Sequence, residues 1–233
     1  MGADTRTFKA LSALLVYPTP ELAAAVPEIG AAIAAEGLVG AGEAAALGPL
    51  LEDLRALDMY ELQARYVDLF DRSRKLSLHL FEHVHGESRD RGQAMVDLAA
   101  LYRAGGLALA ENELPDYLPL FLEYLATRPL GEARALLGEV DHILASLQEA
   151  LERRGTPYAA VFAALRAVAG ASPVTVGAQE TAAAERDDLA ALDAAWEESA
   201  VVFGPGEALG GCSVDRLRTQ IRAGARDART AAA

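Results

Sequence analysis

The sequence predicts an all-α protein whose amphipathic helices share one core, and three observations carry that prediction. Alanine dominates while aromatic residues make up only 6% of the chain, and alanine loses no side-chain entropy in a helix. Apolar residues recur at steps of three and four over most of the first 170 positions, the period of a helix with one buried face. No segment shows the strict alternation of a half-buried strand.

The elements follow in order. Residues 5–16 put Phe8, Leu11, Leu15 and Val16 on one helical face, ended by Tyr17-Pro18. Thr19-Pro20-Glu21 reads as an N-cap, a first-turn proline and an early acid. Leu22, Val26, Ile29 and Ile33 continue that helix, which Pro27 should kink or split. Glycines 37, 40 and 42 read as a connection, and Leu47, Leu50, Leu51, Leu54 and Leu57 as a third helix.

Asp58 is placed to cap a helix carrying Met59, Leu62, Tyr66, Leu69 and Phe70. The pattern lapses over 71–77 and resumes over 78–84, and Gly86 breaks it again. Ser88 and Asp90 restart a helix with Met95, Leu98, Leu101 and Tyr102 that should stop at Gly105-Gly106. Pro115 and Pro119 lie at or near the first turn of an unusually apolar helix, Leu118 to Leu125. One long helix is expected next, with Leu136, Val140, Ile143, Leu147 and Leu151 in register and Arg153-Arg154-Gly155 at its end. Thr156-Pro157 opens a further helix with Tyr158, Val161, Phe162, Leu165 and Val168, closed by Gly170. The expected organisation is a helical domain over 1–170, a loop with one more helix over 171–203, and a glycine-rich turn with a basic tail over 204–233.

Charge and cysteine content narrow the function. The net charge is −13, which disfavours binding to phosphate backbones or anionic lipid, so neither nucleic acid nor stable membrane insertion is expected. Five arginines between 216 and 229 make the tail locally basic. Cys212 is the one cysteine, so no intramolecular disulfide and no paired-cysteine metal motif is expected. The N-terminus has no basic-then-apolar export pattern, and no apolar run is long enough for a bilayer. A cytoplasmic location is expected.

One motif invites a catalytic reading. His79-Leu80-Phe81-Glu82-His83 spells H-x-x-E-H, in which two histidines four apart on a helix share zinc and the glutamate acts as base. No distant third ligand stands out, and a five-residue pattern recurs by chance. A zinc peptidase is therefore the alternative and not the expectation. No phosphate-binding loop is present, and neither a metal nor another cofactor is expected.

Residues 81–98 read FEHVHGESRDRGQAMVDL, 66–72 read YVDLFDR, 111–125 read ENELPDYLPLFLEYL and 191–198 read ALDAAWEE. In content, order and spacing these blocks resemble the nitrate reductase molybdenum-cofactor assembly chaperones, the NarJ or delta-subunit family. The resemblance thins over 171–187 and the tail. It implies an all-helical, TorD-like fold of the redox-enzyme-maturation type, and no enzymatic activity. It implies a partner, the catalytic (alpha) subunit of a respiratory nitrate reductase, bound in its apo form through an N-terminal segment that is a relic of an export signal. It implies no required histidine at position 79. A chaperone for another molybdoenzyme and a permanent structural subunit remain as competing readings.

Such work needs a groove for an amphipathic peptide. The large apolar residues Tyr66, Phe70, Phe81, Tyr117, Leu120, Phe121 and Tyr124 are the candidate contacts, with core packing as the other reading. Glu82, His83, His85, Arg89, Asp116 and Glu123 lie among them. Burying these unpaired is costly, so they either satisfy one another or orient a basic peptide. Histidine is the side chain type that changes charge near neutrality, so with His83 and His85 in this stretch pH-sensitive affinity is expected.

Overall fold

The computed structural model describes residues 5–84, 90–110 and 113–170. The expectations for 171–203 and 204–233, including the basic tail and Cys212, lie outside the described residues, as do His85 and Arg89. Within the described residues the chain is all-α, with eleven helices and one short 3-10 turn.

Helix α1 (Arg6–Ala13) buries Phe8 and Leu11 and has no local cap, because the Thr5 side chain makes no capping bond. Its cap comes from elsewhere in the chain. The carboxylate of Glu36 accepts from the Arg6 N–H at 2.7 Å, the Thr7 N–H at 2.9 Å and the Thr7 hydroxyl at 2.7 Å. Those backbone N–H groups are among the donors that a helix start leaves unsatisfied. Glu36 is the last residue of α2 (Pro20–Glu36), whose own start is capped by the Thr19 hydroxyl accepting from the Leu22 N–H. Pro27 neither splits nor ends α2, which runs through it. Only the one bond that a proline cannot donate is lost there.

Two expected boundaries move. Residues 41–46, partly assigned to a glycine connection, form the short helix α3 (Ala41–Ala46), and α4 (Gly48–Ala56) follows after Leu47. Pro49 explains the division, since it has no N–H to carry the ladder back across Leu47. The long helix expected through Leu151 is two: α9 (Leu130–Glu139) and α10 (Asp141–Arg153), separated at Val140, whose φ/ψ of −99/5° departs from helix. The apolar stripe crosses the break unchanged because Val140 is itself buried.

The remaining helices follow the sequence closely. They are α5 (Met59–Phe70), capped by Asp58 accepting from the Tyr60 N–H at 2.9 Å, α6 (Leu80–Val84), α7 (Asp90–Ala104), α8 (Leu118–Ala126) and α11 (Ala159–Ala169). The turn Arg74–Leu76 occupies the lapse between α5 and α6. Gly170 closes α11 with φ +79°, a left-handed conformation that glycine adopts without strain.

The fold is organised around α8. All its residues except Glu123 are buried, as expected of a helix that is apolar on every side. It packs against α1 and α9, and the Ser12 hydroxyl on α1 donates to the Pro119 carbonyl at 2.8 Å. Tyr124 stacks on Tyr102 of α7 at 4.8 Å, with the Arg128 guanidinium 5.1 Å from its ring centre. Gly105 lies so near that ring that a Cβ there would sit 2.5 Å from it. On the other side of the core, Arg166 of α11 is buried and grips Asp141 at 2.8 and 3.4 Å and Gln148 at 3.1 Å. No helix among the described residues is long and apolar enough to cross a membrane.

Candidate functional site

The site is built where two non-helical segments meet. Between the 3-10 turn and α6 the chain is extended, and Leu78 and His79 pair with the residues leading into α8. The Leu118 N–H donates to the Leu78 carbonyl at 2.8 Å, the Leu80 N–H donates to the Asp116 carbonyl at 2.9 Å, and His79 faces Tyr117 in an isolated antiparallel bridge. Pro115 and Pro119 stiffen the second segment by fixing φ, and Pro119 sits in the first turn of α8, where its missing N–H breaks no helical bond. The Tyr102 hydroxyl donates to the Pro115 carbonyl at 2.8 Å and fixes that segment from below.

Asp116 is the polar centre of this junction. It is fully buried (0% exposed), yet its carboxylate contacts His79 Nδ1 at 3.0 Å, accepts from the Phe81 N–H at 3.2 Å and lies 3.9 Å from the Arg91 guanidinium. Arg91 also reaches Glu82 at 3.4 Å. A buried carboxylate with three partners is satisfied where an unpaired one would be costly. Glu82 and Asp116, polar residues set among apolar ones in the sequence, thus belong to one network, with Arg91 as a member that sequence reasoning missed.

The same geometry bears on the H-x-x-E-H motif. His79 precedes α6 and turns to Asp116, while His83, inside α6, has Nε2 2.8 Å from the Ser77 carbonyl. The two rings therefore do not share the helical face that the metal reading requires. No group of three or more metal-ligating side chains occurs among the described residues.

Beside the junction a cleft of about 210 Å³ is lined by Tyr17, Tyr66, Phe70, Asp71, Leu78, His79 and Tyr117. Tyr66 is its base. Its hydroxyl donates to the Leu15 carbonyl at 2.9 Å and lies 3.3 Å from the Tyr117 hydroxyl. Its ring meets Tyr17 edge-on at 5.6 Å and Phe70 at 5.0 Å. Tyr17 is 44% exposed, and Tyr117 is half-buried with its ring 5.4 Å from that of His79. Burial pushes the Tyr66 and Tyr117 phenols above the usual range, and the nearby Asp71 charge adds to both.

The sequence-derived candidates are thus divided among three places. Tyr66, Phe70 and Tyr117 come together at the cleft, and Phe81, Glu82 and Asp116 at the junction beside it. Leu120, Phe121 and Tyr124 lie in the core on α8, while Glu123 points outward from the same helix. Desolvation, with the Glu113 charge adding to it, holds the Glu123 carboxyl above its usual range. Tyr17 and Asp71 complete the cleft, although neither is among the residues that the sequence marks as candidates. Asp71 does stand inside the YVDLFDR block, but Tyr17 reads only as the residue before a helix-ending proline.

The profile of the nitrate reductase delta subunit family matches residues 36–164, a span that contains both the cleft base and the Asp116 junction. The nitrate reductase molybdenum cofactor assembly chaperone NarJ of Escherichia coli K12 is 49% identical over 195 residues, 83% of each chain. The chain belongs to the nitrate reductase delta subunit (NarJ) family. Two other similar members are the probable assembly chaperone NarW of Escherichia coli K12, 48% identical over 66% of this chain and 70% of its own, and the probable NarJ of Bacillus subtilis, 33% identical over 66% and 82%. In fold the chain is similar to a putative redox enzyme maturation protein from Archaeoglobus fulgidus, with a TM-score of 0.51, 22% identity, and 71% and 93% of the two chains covered. This family member therefore has an all-α fold similar to that of the Archaeoglobus fulgidus protein.

Proposed function

We propose that this chain is the assembly chaperone of a respiratory nitrate reductase. It binds the N-terminal leader of the apo catalytic subunit in the cytoplasm, keeps that subunit competent for molybdenum cofactor insertion, and catalyses no reaction itself. One observation carries the leader-binding part: a cleft rimmed by the half-open rings of Tyr17 and Tyr117 over a buried aromatic base, beside the hydrogen-bonded junction of two segments. Relatives named as cofactor assembly chaperones for nitrate reductase supply the class of partner.

The physics suits capture followed by release. Each well-buried apolar anchor of a leader helix contributes on the order of 1.5–3 kcal/mol. Ordering the peptide takes back roughly 2–5 kcal/mol, and association costs more. With three or four such anchors the expected affinity is moderate, micromolar to submicromolar, weak enough for the chaperone to leave the finished enzyme. Tyr and Trp rings that are half-exposed are the usual anchors of such sites, since they present large apolar faces at low entropic cost.

Titration calorimetry of the full chain against a synthetic leader peptide of the cognate catalytic subunit tests this. Saturable binding that Tyr117→Ala weakens by roughly tenfold or more is expected for an anchor residue. Absence of binding at concentrations far above micromolar, or preferential capture of another molybdoenzyme's leader, would overturn the assignment. Phe121→Ala is no test of the groove, because Phe121 is 3% exposed and its loss would disturb the core.

A further inference from the structure

We propose that the cleft beneath Tyr17 and Tyr117 is a subsite for one cationic side chain of the bound leader, an arginine or lysine whose head pairs with Asp71. The inference rests on the leader-binding reading and adds the chemistry of one contact to it.

The cleft is the right size for a single long side chain, at about 210 Å³, and not for a helix. Its lining includes the rings of Tyr17, Phe70 and Tyr117 around the Tyr66 base, with Tyr17 and Phe70 in ring contact with Tyr66. Aromatic faces attract cations through the ring quadrupole, most strongly where water is excluded. They also accept the methylene stem of a lysine or arginine as apolar surface.

Asp71 supplies the counter-charge. It is exposed, lines the cleft, and forms no ion pair among the described residues. Its carboxylate is close enough to act on the phenols of both Tyr66 and Tyr117. It also stands at the C-terminal end of the twelve-residue helix α5, where aligned peptide dipoles leave partial negative charge. The neighbouring cation Arg72 is drawn back to Asp68 at 3.3 Å, and the imidazole in the lining, His79, is turned to Asp116, whose carboxylate offsets its charge when it is protonated. A neutral occupant would strip water from the Asp71 carboxylate with nothing to replace it, whereas a cation replaces it directly.

The test is a double-mutant cycle read by titration calorimetry. The full chain and its Asp71→Asn variant are each titrated with the leader peptide and with a set in which every arginine or lysine is replaced singly by norleucine. One replacement should weaken binding to the native chain by roughly three- to tenfold, the scale of a partly exposed cation–π contact with a charge pair. The same replacement should cost Asp71→Asn distinctly less, because only the ring contacts remain to be lost. Tyr17→Phe should keep the discrimination and Tyr17→Leu should lose most of it, because the ring face and not the hydroxyl is the contact. If the leader binds but every replacement weakens both proteins equally, the subsite is refuted while the chaperone reading stands. If the native chain binds no leader, both fall together.

Discussion

The carboxylate of Asp116 and the Nδ1 atom of His79 lie 3.0 Å apart, joining the segment that leads into α8 to the extended residues before α6. Asp116 is fully buried and His79 partly exposed, so the contact links the interior of the molecule to the wall of the cleft. Removing Asp116 leaves the Phe81 N–H and the Arg91 guanidinium short of an acceptor as well. Asp116→Ala should therefore cost about 3 kcal/mol, as expected when one member of a buried charged network is deleted. Urea unfolding measures this, and a change below about 0.5 kcal/mol, the ordinary surface range, would contradict the central role given to the residue.

The same pair makes stability depend on pH. The hydrogen bond to Asp116, aided by that carboxylate's charge and opposed by burial, holds His79 above the ordinary histidine value. The folded chain thus retains a proton that the unfolded chain gives up near pH 6.5, an approximate reference value. The stabilisation is complete below that pH and fades as pH rises through the raised value. Relative to His79→Gln, the native protein should lose stability on going from about pH 6 to about pH 8. An NMR titration of His79 with a midpoint at or below the reference value would reverse the sign and reject the account.

Tyr66→Phe separates packing from hydrogen bonding at the base of the cleft. The ring stays against Tyr17 and Phe70, while the bonds to the Leu15 carbonyl and the Tyr117 hydroxyl are lost. The expected cost is about 1–2 kcal/mol, since the Leu15 carbonyl is left without that donor. Tyr117 should become more mobile, and leader affinity should fall modestly. Thermal unfolding and the peptide titration together check this, and a variant tighter than the native chain would be inconsistent with it.

Glu36 should act as a cap for a helix 29 residues away in sequence, from which it receives three hydrogen bonds. Partial burial works against its charge, but the bonds from Thr7 and Arg6 prevail and hold its carboxyl below the usual range. Its stabilisation is therefore present at neutral pH and lost as pH falls through that lowered value. Glu36→Ala should cost about 1–2 kcal/mol at neutral pH, the range for losing an N-cap, with early hydrogen exchange at the start of α1. Unchanged exchange there would show that the cap is idle.

Helices that carry their own start and stop signals are legible in the sequence. Thr19 with Pro20 starts α2, Asp58 starts α5, and Gly170 ends α11, each within a residue or two of expectation. The joints are not legible. Leu47 and Val140 are apolar and in register with their neighbours, so the stripe of buried residues passes over both breaks without a mark. The candidate site is legible in part. Tyr66, Phe70 and Tyr117 share the cleft, but Leu120, Phe121 and Tyr124 serve the core. Composition cannot distinguish the two uses, because a groove and a core ask for the same side chains.

What the residues alone determined is the helical class, most helix starts and stops, and membership of the delta-subunit family. These rest on interactions spanning three or four positions, or on ordered motifs read directly from the chain. Only the tertiary structure decided that Glu36 caps α1, that Leu78 and His79 lie against Tyr117 and Leu118, and that Tyr17 and Asp71 close a cleft over Tyr66. Each of those joins residues far apart along the chain. Their meeting is set by how the buried faces of α1, α2 and α8 pack, and no local pattern encodes the distance between two such faces.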